Sequence, residues 1–260
     1  MLQKATNWLR GSQVWKSVFR HGPPTTARNR TMVMLSNVFL HLHPVRARAS
    51  GIRLSFTWCM GGLTFFLFLV ESVTGILLMF YYRPVAASAY NDIIALREDV
   101  PLGIMREIHR WGAHAMVITV WLHMFRVFMT GSYKPPREFN WAIGVVLLVL
   151  TLLLSFTGYL LPWDQLSIWA VTVGTNMARA HPVIGHEGPG ANLLTTGGGI
   201  QLVHAGDDIR YALLGGRFVG EATLLRFYVL HCIAVPVMAM VLMAVHFWRV
   251  RKDGGISGPL

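Results

Sequence analysis

The segment HRWGAHAMVITVWLH, from His109 to His123, sets two imidazoles at the ends of a mostly apolar run. Fourteen residues at ~100° each sweep ~1400°, within ~40° of four full turns, so a helix projects both rings from one face. At ~1.5 Å per residue the rings stand ~21 Å apart, most of the way across a ~30 Å hydrocarbon core. A single histidine in such a run has ordinary explanations, either a hydrogen bond to a neighbouring helix or a place beside a water-filled cavity. A second pair changes the reading. RFYVLHCIAVPVMAMVLMAVHF carries His231 and His246, fifteen residues apart, which is ~1500° and within ~60° of one face. Packing does not ask for two helices that each carry two histidines at nearly equal spacing. The economical account is two bis-histidine haems, one above the other, each clamped between these helices.

Glycines add a second constraint. Gly61 and Gly75 are fourteen apart in one apolar run, and Gly144 and Gly158 are fourteen apart in another. Glycine costs ~1 kcal/mol in a helix interior, so it marks close approach by something. Close helix–helix packing by small residues is the plain explanation. The glycine period, however, equals the first histidine period and falls on the two runs that lack the histidines. Flat macrocycles lying edge-on against those helices need this clearance.

The elements that position these residues follow from composition. The 260 residues are 53% hydrophobic and 13% charged, against ~25% charge in ordinary soluble domains, and mean hydropathy is +0.47. Four runs are long enough to span a membrane: 54–82, 109–130, 139–161 and 224–249. The fold expected is all-α, a four-helix haem-binding membrane bundle over 54–260 behind a basic interfacial extension over 1–53. No compact apolar core marks a cleavable signal peptide in that extension. HGPP at His21–Pro24 breaks it, and TMVMLSNVFLHLH reads as an interfacial amphipathic helix with His41 and His43 at the headgroups. A long link over 162–223, rich in glycine, is expected to combine short surface helices with a flexible excursion.

The net charge of +11 could suggest nucleic acid, and its distribution argues otherwise. With helix-end residues included, Lys and Arg number nine up to Arg53, three at the link after the second run and three at the C-terminal tail. The other two links hold eight, together with nine of the twelve acidic residues. Fifteen against eight places both termini on the cytoplasmic side. The second and fourth runs then both pass from outside to inside. His109 pairs with His231 near the outer face, and His123 with His246 near the inner face. The two cysteines, Cys59 and Cys232, are too few for a disulfide framework, and there is no CxxCH haem-attachment motif.

Taken in order, HRW at His109–Trp111, LHMFRVFMTG, KPPRE at Lys134–Glu138, TGYLLPWDQ, HPVIG at His181–Gly185, RFYVLH and the terminal GISGPL resemble the cytochrome b6 family. This is the N-terminal, four-helix haem half of cytochrome b in b6f and bc1 complexes, and the resemblance runs from about Phe56 to Leu260. It implies a subunit of a quinol oxidoreductase that sends one electron to a Rieske iron–sulfur protein and one across the membrane through two b haems, contributing to proton translocation. It further implies that Arg106 and Arg110 face haem propionates, with Arg126 and Arg226 as weaker candidates. Pro162, Trp163 and Asp164 of PWDQ match the wall of the outer quinol-oxidising pocket, although Asp164 also reads as a helix cap. Cys59, in FTWCMGGL, matches a cysteine that holds a third, c-type haem by one thioether at the cytoplasmic quinone site. Arg251 and Lys252 match positions near that inner site.

Three departures from the family stand out. His231 follows His123 by 108 positions, with a surplus in 186–219; the N-terminal extension is long; and Glu71 replaces the family's usual glutamine, either protonated, as burial favours, or paired with a cation or cofactor, which makes it a proton-relay candidate. His114, about 140° from His109 on a helix, faces elsewhere, and Cys232 reads as packing. The absence of a PEWY-like motif implies that the C-terminal half of cytochrome b is a separate subunit, so this chain is not active alone. The resemblance also implies a c-type cytochrome subunit, a cytochrome c or plastocyanin-like acceptor, a dimeric complex and, given the extensions, a bacterial inner membrane. A dihaem b anchor of a formate dehydrogenase or hydrogenase is the alternative, but neither PWDQ nor the single cysteine is expected there. A transporter or assembly protein with buried histidines is a non-redox alternative, which haem in the purified chain would exclude.

Overall fold

Residues 2–19, 24–35, 37, 49–194, 202–204 and 206–256 are described by the computed structural model. His21, His41 and His43 lie outside them, as do parts of the 186–219 surplus. Twelve α-helices follow one another among the described residues, and no strand occurs there. They are α1 (Leu2–Gly11), α2 (Gln13–Val18), α3 (Ala27–Leu35), α4 (Leu54–Thr57), α5 (Met60–Met79), α6 (Ala89–Glu98), α7 (Val100–Met129), α8 (Glu138–Tyr159), α9 (Gln165–Ala178), α10 (Ile209–Leu214), α11 (Glu221–Val229) and α12 (Val235–Lys252). Four stretches are long and apolar enough to cross a membrane: Met60–Met79, Pro101–Met129, Glu138–Tyr159 and Glu221–Lys252. The chain is an all-α, multi-pass membrane protein.

Local chemistry explains where the long helices begin. α7 starts at Val100, well before the apolar run that opens near His109. Asp99 Oδ1 accepts the Leu102 N–H (3.3 Å), and Pro101 sits in the first turn, where its missing N–H is no loss. α11 and α12 are joined by a π turn over Leu230–Ala234. Pro236 lacks an N–H, and its ring would press on the carbonyl of Cys232 in a regular helix. The wider turn relieves that crowding and sets His231 inside the bulge.

The chain divides into two compact units: Met1–Phe68, Ala115–Thr151 and Met238–Leu260 form the first, Leu69–His114 and Leu152–Val237 the second. In the first, Arg249 is fully buried (0% exposed). Its guanidinium donates to the carbonyls of Val18 (3.1 Å) and Ser17, pairs with Asp253 (3.3 Å) and lies over the Phe139 ring. The Phe139 N–H donates to Ser17 Oγ (3.0 Å), and the Gln13 amide donates to Glu138 Oε1 (2.7 Å). Among its described residues the N-terminal extension carries α1, α2 and α3, and α2 is strapped to the start of α8 and the end of α12. Only the TMVML part of the expected interfacial helix is described, as the end of α3.

In the second unit, Leu160, Val171, Leu214 and Phe227 form one core, and Tyr82, Ala89 and Leu224 form another, which Trp163 packs against. The described residues of the link after α8 include α9 and α10. α9 runs fourteen residues, and Leu214 of α10 is fully buried. Asp208 caps α10 by accepting the Tyr211 N–H (2.9 Å) and bonds His186 Nδ1 (2.5 Å).

Candidate haem sites

In the second unit the rings of His109 (α7) and His231 (π turn) face each other with centroids 6.2 Å apart and planes at 84°. Thr74 Oγ1 gives its proton to the Val70 carbonyl (2.7 Å), so its oxygen accepts from His109 Nδ1 (2.8 Å). Glu71 Oε2 lies 3.1 Å from the same nitrogen. His231 Nδ1 donates to the Leu154 carbonyl (3.1 Å) and to Thr157 Oγ1 (3.2 Å), whose own proton goes to Leu153 (2.8 Å). With Nδ1 engaged in both rings, Nε2 remains for a metal, and the partners fix ring orientation as outer-shell groups do in metal sites.

In the first unit His123 (α7) and His246 (α12) repeat the arrangement, with centroids 6.4 Å apart and planes at 80°. They adjoin a cavity of about 100 Å³, also lined by Arg126, Arg137, Asn140 and Gly144. Arg126 is buried; its Nε donates to the Phe56 carbonyl (3.3 Å) and its guanidinium lies over the Phe56 ring. Its Nη2, with His246 Nδ1 and Asn140 Oδ1, is buried without a hydrogen-bond partner among the described residues.

Both spacings suit iron. A first-row metal binds imidazole nitrogen at about 2.0–2.1 Å, and each ring centre lies about 1.1 Å behind its nitrogen, so two axial imidazoles hold their centres about 6.3 Å apart. Among the described residues no group of three or more His, Cys, Asp and Glu could hold a bare metal ion. Paired imidazoles at these spacings would fit a haem, which brings its remaining donors with it.

Each of the four spaced glycines meets one histidine. A Cβ on Gly75 would lie 3.1 Å from His109 Cε1, on Gly158 2.5 Å from His231 Cε1, on Gly61 3.1 Å from His123 Cε1 and on Gly144 3.7 Å from His246 Cε1. Each glycine makes room for an imidazole, and clearance for the edge of a macrocycle stays an expectation of the sequence reading.

Other predicted residues are brought to different partners. Arg106 and Arg110 both donate to Glu107 (2.9 Å each). Asp164 is the N-cap of α9, accepting the Ser167 N–H (2.8 Å) and hydroxyl (2.7 Å). It follows Pro162 and Trp163, the latter in a left-handed conformation (φ 54°). Arg251 donates to the Leu35 carbonyl (2.8 Å), and Lys252 lies over Trp248 (4.7 Å). Arg226 donates to the Ala212 carbonyl (2.5 Å), and His114 Nδ1 bonds the Arg110 carbonyl (2.6 Å). Cys59 is exposed and free. It sits with Trp58 in consecutive left-handed conformations (φ 53° and 51°) between α4 and α5, a costly backbone state of the kind found at ligand clamps. Thr74 and Thr157 escaped the sequence reading. Their signal was there: each stands immediately before a spaced glycine, as Thr74–Gly75 and Thr157–Gly158.

Four membrane-crossing helices with two facing histidine pairs define a membrane protein of the haem-carrying, electron-transfer class. The sequence matches the family cytochrome b/b6/petB over residues 45–189 and 191–254. It is 43% identical over 204 residues to cytochrome b6 of Gracilaria tenuistipitata var. liui, covering 78% of this chain and 85% of that one. It is 41% identical to cytochrome b6 of Prochlorococcus marinus (strain MIT 9515), covering 78% and 84%. Among solved structures it is similar to a chain of a hyperthermophilic respiratory Complex III, with a TM-score of 0.64 and 28% identity over 90% of this chain; it spans 54% of that longer chain. The chain belongs to the cytochrome b family.

Proposed function

We propose that this chain is the haem-carrying subunit of a quinol-oxidising complex of the b6f/bc1 kind, with an outer b haem on His109 and His231 and an inner b haem on His123 and His246. The observation that carries this reading is the pair of ring spacings, 6.2 and 6.4 Å, against about 6.3 Å for two imidazoles across one metal. His109 with His231, and His123 with His246, would each hold a haem, and the haem would supply one-electron transfer. Thr74, Thr157 and the Leu154 carbonyl hold the outer imidazoles in one tautomer. The buried Arg126 Nη2 suits an anionic propionate of the inner haem, beside Arg137 in the same cavity, and this raises Arg126 above the weaker rank its sequence context gave it.

Cys59 is assigned a third haem by one thioether, its exposed thiol presented by the left-handed turn in the same unit as His123 and His246. PWDQ forms part of the outer quinol pocket: Asp164 caps α9 and fixes the turn that carries Pro162 and Trp163. In this reading both termini are cytoplasmic and the membrane is a bacterial inner membrane. The C-terminal half of cytochrome b, a Rieske iron–sulfur protein and a c-type cytochrome complete a dimeric complex.

The test is haem analysis of the purified complex. Reduced-minus-oxidised spectra should show two b haems, with His231→Ala losing one and His246→Ala the other. A haem stain of the denatured polypeptide should be positive for the native chain and negative for Cys59→Ala. A native chain that loses all haem on denaturation refutes the thioether and leaves a two-haem cytochrome b.

A further inference from the structure

We propose that the N-terminal arm formed by α1 and α2 is a membrane-surface binding element selective for anionic lipid headgroups, moored to the cofactor-bearing helices by Arg249. The arm precedes residue 45, where the family match begins, so it owes nothing to the haem sites.

Three observations carry the assignment. The first is charge. No Asp or Glu precedes Glu71, whereas Lys4, Arg10 and Lys16 lie on the arm and are exposed. The second is a face. Successive helical steps place Ala5, Trp8 and Leu9 of α1 within a ~100° sector, with Gln3, Asn7 and Arg10 opposite. Trp8 and Val14 are each 75% exposed, and Phe19 is 54% exposed. An indole and aliphatic groups on one side of a basic helix are the composition of an element that lies in the headgroup layer.

The third observation is position. Gln13 bonds Glu138 and Ser17 bonds the Phe139 N–H, and Glu138 is the first residue of a membrane-crossing stretch. The buried Arg249 grips the Ser17 and Val18 carbonyls. The arm thus leaves the protein at the level where the span enters the headgroups. A purely basic, aromatic helix starting at that level meets acidic lipid first, and the attraction falls off within a Debye length of the surface.

Hydrogen exchange of the α1 and α2 amides tests this, with the whole complex placed in nanodiscs of phosphatidylcholine alone or of an equimolar phosphatidylcholine–phosphatidylglycerol mixture. Exchange of α1 should slow on the order of tenfold in the anionic discs and recover at high salt. Lys4→Glu with Arg10→Glu should abolish the protection, and Trp8→Ser should weaken it, with haem spectra unchanged in both. Equal exchange in the two lipids overturns the proposal. So does protection that persists in detergent and vanishes only when partner subunits are removed, because a protein then covers the face.

Discussion

At the scale of single residues, the register between glycine and histidine is the feature on which both sites depend. One of the four glycines has no room for a methyl group: a Cβ on Gly158 would come within 2.5 Å of His231 Cε1 and 3.1 Å of both ring nitrogens, whereas at Gly61 and Gly75 the nearest ring atom, at 3.1 Å, would have to give slightly. Helix backbone and an oriented ligand cannot both stay in place, and overpacking of this kind costs ~1–3 kcal/mol. Gly158→Ala should lose the haem of His109 and His231 and keep the other, giving half the b-haem absorbance per chain. Gly144→Ala, with ordinary contact at 3.7 Å, should keep both; equal damage from the two substitutions would sink the register argument. Glu71 offers a second test. Its carboxyl group lies 3.1 Å from His109 Nδ1, and such a partner would strengthen donation to an iron held by His109 as proposed. Glu71→Gln should raise the midpoint potential of that haem alone, and a redox titration showing no change would reduce Glu71 to packing. The histidine pairs and glycine period were legible because one-dimensional spacing converts directly into helix angle. What each glycine faces was not legible, because spacing fixes direction around an axis and says nothing of the lateral offset of the neighbouring helix.

At the scale of elements, the boundaries that hydropathy could not locate are those set by hydrogen bonds. α7 reaches back to Val100 through its Asp99 cap, and Pro236 is absorbed by a π turn. Neither event changes the apolar count on which a span is recognised. α1, α2 and α10 are too short and polar to register against spans of some twenty residues, and the buried Leu214 acquires its meaning only from Leu160, Val171 and Phe227. A pH test belongs at this level. The segment between α5 and α6 is pinned by Arg83, whose backbone N–H (2.9 Å) and guanidinium (2.5 Å and 3.0 Å) all reach Asp92. Those hydrogen bonds hold the Asp92 carboxyl below its ordinary range. A carboxyl depressed by folding stabilises the folded state above its unfolded pKa of ~3.9, and that contribution is lost as pH falls through the lower folded value. Protection of the α6 amides, taken relative to the intrinsic exchange rate at each pH, should therefore fall on acidification below about pH 4, and Asp92→Asn should be weakly protected at every pH. Protection in the native chain that does not change with pH would show that the pair does not hold the segment.

At the scale of the whole molecule, the basic residues do more than add net charge. Some of them clamp chain segments that are distant in sequence, and Arg249 does so from full burial. Nothing in the sequence marks Arg249 apart from its neighbours Arg251 and Lys252, since all three read as the basic end of a membrane helix. Its difference arises from what the N-terminal arm brings to it: two backbone carbonyls, and the Phe139 ring beneath a charge already paired with Asp253. Burying this ion is costly, and its partners make it tolerable, so removing one member should hurt more than removing both. Arg249→Met removes the cation 3.3 Å from Asp253, whose side chain is 0% exposed. The expected loss is ~3–5 kcal/mol, read as a lower temperature for loss of the haem absorbance and as protease cleavage before residue 37. Arg249→Met with Asp253→Asn should recover part of the thermal loss, because no charge is stranded, yet the arm should stay sensitive to protease because its carbonyls have no donor. If the single variant keeps both the thermal stability and the protected arm, the clamp is ornamental and the arm is held by the membrane alone.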